Sequence, residues 1–244
     1  MNRMFKVGIS ALAVVAATSA YAFAKDDEPV NDSMAEDEGV VGWTPIAIGL
    51  ATPVQLPWGL NSWDVYGLDV NVFYADAPTM YGICVGGLAA TTRESMGGLQ
   101  VAGLANFAMG DVYGMRATLG ANICDGNVYG LEVGSFGMRR ILSGVDIEVL
   151  ACLQERANGI QIGGLATISL EESHGVNIAA LGNYAKVARG FQCGAIFNMT
   201  EELHGCQFAL VNFARTCPWG FQIGLVNIIL DNQIKVLPFF NAYF

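Results

Sequence analysis

One octet governs the chain. Gly205-Cys206-Gln207-Phe208-Ala209-Leu210-Val211-Asn212 is followed by Gly220-Phe221-Gln222-Ile223-Gly224-Leu225-Val226-Asn227. Both spell Gly, apolar, Gln, apolar, small, apolar, apolar, Asn. The same opening returns at Gly67, Gly82, Gly98, Gly114, Gly130, Gly144, Gly159, Gly175 and Gly190, so eleven lead glycines recur at intervals of 14 to 16 residues. A period of about 15 residues means that one small unit is copied and packed against its neighbours. Counting the lead Gly as zero, positions 1 and 3 are large and apolar, position 2 is polar, and position 4 is Gly or Ala in most units. Alternation at period two predicts strands, about ten residues long with about five left for a turn. Leu203, Gly205, Gln207, Ala209 and Val211 then share one face, and Cys206, Phe208 and Leu210 the other. Most charged residues fall between octets, among them Asp111, Asp125, Glu171, Lys186, Glu201 and Arg215.

Three segments follow from composition. Residues 1–24 read as a signal peptide: Arg3 and Lys6 precede an apolar stretch from Val7 to Ala17, and small residues mark a cleavage site near Ala22 or Ala24. Residues 25–42 form an acidic linker with almost nothing apolar, which predicts disorder. Residues 43–244 are the repeat β domain. Pro45, Pro53 and Pro57 exclude a continuous helix at its entry, and no apolar run free of Pro and Gly is long enough for a membrane helix. A net charge of −10 argues against nucleic acid as a partner.

Two architectures absorb such strands. The favoured expectation is a closed antiparallel transmembrane β-barrel of about 12–14 strands, with positions 1 and 3 toward lipid and the Gly/Gln face lining a narrow lumen. Leu104, Phe136, Leu165, Leu181 and Val226 would partly fill that lumen. The final segment, Ile234 to Phe244, supports it: a terminal strand ending in Phe244 matches the signal that barrels present to their assembly machinery, so outer-membrane lipid and that machinery are the expected partners. Tyr66, Tyr81, Tyr113, Tyr129 and Trp219, each just before a lead glycine, suit interfacial girdles. The alternative is a β-solenoid in which each unit is one rung, stacking Gln on Gln and Asn on Asn. Even spacing between units favours it; the lack of a polar capping repeat counts against it.

The Gly-x-Gln-x-Gly-x-x-Asn units, the Val65-Tyr66-Gly67-Leu68 entry and the Leu237-to-Phe244 ending resemble a family of exported bacterial surface-repeat proteins, over roughly residues 43–244. The resemblance implies a cell-envelope location and no known enzymatic activity, so it carries over no catalytic residues. The repeat is least regular over Gly130–Cys152, where Arg139 and Arg140 stand and the Asn is missing.

Chemistry is sparse. His174 and His204 sit in matching Glu-Glu-x-His-Gly slots with Glu172 and Glu202, yet other units place Tyr, Arg or Trp there, so turn-flanking roles outweigh metal ligation. Six cysteines occupy unequal repeat positions and read mainly as small hydrophobes, with Cys193–Cys206 the least implausible bridge. Asp69, Arg116, Glu132 and Asp146 put charge at the inward position 2; mutual pairing outweighs ion selection. The glycine pairs form no nucleotide loop, and no catalytic set is visible. The expectation is no enzyme, no cofactor and no metal site: an outer-membrane barrel with a structural or narrow-pore role, or else a secreted or surface β-solenoid acting as a binding or adhesive module.

Overall fold

The computed structural model describes residues 42–58 and 62–243. Residues 1–24, nearly all of the 25–42 linker, and Phe244 lie outside the described residues. Thirteen strands make one sheet: β1 (Gly42–Ala51), β2 (Val54–Leu56), β3 (Trp63–Gly86), β4 (Ala89–Ala102), β5 (Ala105–Ala108), β6 (Asp111–Thr118), β7 (Ala121–Cys124), β8 (Asn127–Gly163), β9 (Ala166–Ala179), β10 (Gly182–Gly194), β11 (Phe197–Phe208), β12 (Val211–Ile229) and β13 (Val236–Ala242).

Strand direction decides the architecture. Gly190 pairs with Gly205 and Gly205 with Gly220, in parallel. Every neighbour pair from β1 and β3 through to β12 is parallel, and the sheet order ends at β13 and β2 without joining them. The expected closed antiparallel barrel is therefore overturned: the chain is a β-solenoid. Its register explains the choice. Parallel stacking sets each residue on its equivalent one coil away, so Gln207 meets both Gln192 and Gln222. Alternation at period two is common to both architectures and could not separate them.

Each coil bends three times. A break falls at pairs such as Ala195-Ile196 between β10 and β11, and register irregularities recur near Gln154–Arg156 and Ala185–Val187. The third bend is the lead glycine, which has φ between 115° and 152° in all eleven units. At Gly205 (φ 147°) an added Cβ would run into the carbonyl oxygen of Gly190, so both conformation and close stacking demand glycine there. The three bends give each coil three sides. The first runs from the lead glycine to position 4, the second crosses positions 7 to 10, and the third returns to the next glycine.

Inside, two kinds of column coexist. Two residues before the lead glycines, Met80, Met96, Val112, Val128, Leu142, Ala157, Ala188 and Leu203 form a buried apolar column. Position 2 supplies buried Gln, and position 7 or 8 buried Asn. The leucines expected to fill a lumen do the opposite: Leu104, Leu165 and Leu181 are 62%, 45% and 42% exposed, forming an outer ridge between the first and second sides. Phe136 is half-buried and Val226 is exposed.

Both ends are covered in part. β13 turns back antiparallel on β12, and β2 does the same on β1. The cap that a solenoid needs is thus made by the segment read as a terminal barrel strand. Val236 and Phe240 stand exposed on it, and a folded-back strand blunts an edge as effectively as a polar repeat.

Candidate functional site

Parallel stacking of amides makes ladders. Gln222 donates to Gln207 at 2.7 Å and Gln207 to Gln192 at 2.8 Å. Asn183 donates to Asn198 (2.8 Å), Asn198 to Asn212 (3.0 Å) and Asn212 to Asn227 (2.9 Å). Within a run each amide offers a donor to one neighbour and an acceptor to the other, while Gln192 Nε2 and Gln222 Oε1, at the ends of the glutamine run, have no hydrogen-bond partner among the described residues. The same slots carry charge midway along the chain. Arg116 Nε donates to Glu132 Oε1 at 2.6 Å, and Arg139 Nε lies 2.8 Å from Glu132 Oε2. Arg139 also reaches Asp146 at 2.5 Å and Glu148 at 3.8 Å, and Asn122 donates to Glu148 at 3.2 Å. None of the five charged side chains is exposed.

Three carboxylates thus face two guanidinium groups away from water, and the imbalance shows in their acidities. Burial pushes Glu132 up, but Arg139 and Arg116 outweigh it and hold the group below the usual carboxylate range. Burial raises Asp146 despite Arg139. Burial and the neighbouring Asp146 push Glu148 up to about 8. The cluster has no path to solvent along its side chains, so its chemistry is internal neutralisation rather than contact with a solute.

The structure brings together Arg116, Glu132 and Asp146 of the four position-2 charges and leaves Asp69 apart. Asp69 accepts from Asn71 at 2.7 Å, and burial pushes it up to about 7. Sequence reasoning missed Arg139 and Glu148. The signal was the short 14-residue interval from Gly130 to Gly144, which sets Phe136 beside Ala121 and turns Arg139 inward. Glycine supplies the room: an added Cβ at Gly137 would strike the Arg139 guanidinium, and one at Gly134 would strike Glu148.

The remaining candidates are simple. His174 lies 3.2 Å from Glu172 and His204 2.5 Å from Glu202, each a pair on one coil. Among the described residues no group of three His, Cys, Asp or Glu could hold a metal. All six cysteines are free; Cys193 pairs in register with Phe208 and Cys206 with Phe191.

The outer surface carries the second feature. Positions 1 and 3 put two outward residues per coil on the first side, from Leu68 and Val70 to Phe221 and Ile223. All are apolar, Cys193 and Cys206 included, and none is buried. Met115 is 49% and Ile160 41% exposed. At about 4.8 Å per coil the face is about 50 Å long and roughly 13 Å wide. Contiguous apolar surface of this order marks an interaction site on a folded chain. The leucine ridge flanks it, and the second side beyond is also apolar outward, with Phe107, Ile123, Met138, Ile168, Met199 and Phe213; the charge there is Asp76, paired with Arg93 at 3.5 Å. Charged groups otherwise collect on the third side and its bends.

No family model, no curated protein and no solved structure matches the chain.

Proposed function

We propose that this protein is an exported surface module that binds through its apolar sides and is not an enzyme. The observation that carries the reading is the first side: eleven coils, two outward residues each, and no charge. A rigid parallel stack holds those side chains at fixed spacing, which preorganises the surface and keeps its cost of ordering on binding low. Among the described residues the interior turns no charged side chain of its central cluster to solvent. Arg116, Glu132, Arg139 and Asp146 are enclosed and paired with one another, and among the described residues the half-buried His–Glu pairs have no third carboxylate, histidine or thiol beside them. The signal-peptide pattern of residues 1–24 supports export.

The test is titration of the folded protein with an apolar fluorescent dye at neutral pH. Saturable binding is expected, and it should fall at least several-fold in the triple variant Ile147→Glu, Ile162→Glu, Ile178→Glu. A folded protein that does not bind the dye, or a triple variant that binds it equally, overturns the reading.

A further inference from the structure

The apolar surface is not one plane. The first side, the ridge of Leu88, Leu104, Leu119, Leu165, Leu181 and Leu210, and the second side follow one another around the coil, so the apolar surface is a wedge with a leucine crest. Four observations bear on what covers it.

The first is shape. A second copy laid flat on the first side would bury about 600 Å² per partner, within reach of a stable interface. It would nevertheless leave the crest and second side in water. A fluid apolar medium covers all three.

The second is the backbone. Lipid accepts a protein surface only where amides and carbonyls are already paired. The sides are paired coil to coil by the parallel ladder. The crest is paired as well: Leu104 N donates to Leu88 O (2.7 Å), Leu165 N to Leu150 O (2.7 Å), Leu181 N to Leu165 O (2.8 Å) and Ile196 N to Leu181 O (3.0 Å). The charged bends carry bonds of the same kind, Asp125 N to Ala108 O at 2.9 Å among them, so pairing makes the crest compatible with lipid, and the border and the charge decide where lipid sits.

The third is the border. The residues immediately before the lead glycines line the edge between the first side and the charged third side. They are Tyr66, Tyr81, Tyr113, Tyr129 and Trp219, with His174, Arg189, His204 and small or amide residues in the other coils, and no carboxylate. The tyrosines stack in pairs, Tyr66–Tyr81 at 5.7 Å and Tyr113–Tyr129 at 5.0 Å. Amphipathic rings and long cationic side chains are what the boundary between hydrocarbon and water selects. The fourth is charge, which apart from Asp76 collects on the third side and the bends that bound it.

We infer that the wedge seats in one leaflet of a lipid bilayer, acyl chains against the first side, crest and second side, with the Tyr/Trp/His/Arg column at headgroup level and the third side in water. The solenoid lies along the membrane and does not span it. This rests on the reading of the apolar sides as the binding surface.

Flotation of the full chain with phosphatidylcholine vesicles tests it, run beside the dye titration and sedimentation. The wild type should float, equally at 0.1 and 1 M NaCl, because the contact is apolar. The Ile147→Glu, Ile162→Glu, Ile178→Glu variant should lose at least about tenfold in partition while keeping its far-ultraviolet dichroism. A matching Thr triple at the same positions, which keeps β-branched residues in the strands, should lose less. Should the Glu variant misfold, loss in the Thr triple alone supports the inference. Flotation unchanged in a folded triple variant overturns it. Absence of flotation with dye binding retained overturns the lipid but keeps the binding surface; absence of both overturns both. A wild-type oligomer that fails to float and is split by the triple variant makes a second copy the occupant and also overturns the lipid.

Discussion

A carboxylate without its own counter-ion is the weak point at residue scale. Glu132 and Asp146 share Arg116 and Arg139 at 2.8 Å or less, whereas Glu148 reaches Arg139 only at 3.8 Å and otherwise leans on Asn122. Burial and Asp146 push it up to about 8. The sign follows directly. In the unfolded chain the group ionises near 4.5, while the folded chain holds the proton until about 8. Between those values the folded state binds more protons than the unfolded state, so stability falls as pH rises through that window. Asp69, raised to about 7, adds a slope of the same sign that ends sooner. Glu148→Gln removes the first contribution and leaves two carboxylates against two guanidinium groups. Urea unfolding should show the variant more stable than wild type at pH 8, by up to about 4 kcal/mol over the window from 4.5 to 8, and equal to it near pH 4. A variant less stable at pH 8 would mean that the Arg139–Glu148 contact outweighs burial.

At the scale of the element, strand alternation was legible in the sequence because inward and outward slots differ so sharply: Gln207 and Gly205 are buried, Cys206 and Phe208 half-exposed. Strand direction was not. Gln and Asn at fixed positions fit an inward lumen and a stacked ladder equally, and aromatics before the glycines fit a girdle or a solenoid border. What separates them is the glycine φ and the absence of any long–short alternation among the intervals, which together turn every coil the same way. The charged site was half legible. Arg116, Glu132 and Asp146 occupy regular slots, but Arg139 enters through a one-residue shortfall that no periodic template assigns. The ladder itself makes a prediction. Gln207→Leu fits the slot in size yet removes the acceptor of Gln222 Nε2 and the donor to Gln192 Oε1 at once. Two buried amides lose a partner, so thermal unfolding should register a loss of about 2–4 kcal/mol. If the loss stays below about 0.5 kcal/mol, the ladder specifies register without stabilising the fold.

For the whole molecule, a parallel stack with repeated coils is quasi-one-dimensional: each coil contacts its neighbours, and the two ends are templates for more strand. At the carboxyl end that template is β12, a coil whose Phe221, Gln222 and Ile223 continue every column of the stack. β13 occupies it by running the other way, pairing Phe221 with Ala242, Gln222 with Asn241 and Ile223 with Phe240. Asn241 also ends the amide column, since Asn232 donates to it at 3.2 Å and it reaches the Asn227 carbonyl at 3.4 Å. An antiparallel strand cannot be followed by another coil in register, because the stacked equivalence of residues is lost at that step. Pro238 further removes a donor from the outer edge. The cap therefore has two jobs, covering the last coil and refusing the next one. Removal of residues 234–244 should leave the coils up to β12 folded, as judged by an unchanged strand spectrum, and expose a paired-ready edge beside an apolar side. Such a chain should associate end to end at micromolar concentration, where the intact chain does not, and light scattering with thioflavin fluorescence should detect it. A truncated chain that stays as dispersed as the intact one would place the barrier to polymerisation elsewhere, in the exposed leucine crest or at β2, and would strip β13 of any role beyond covering its own coil.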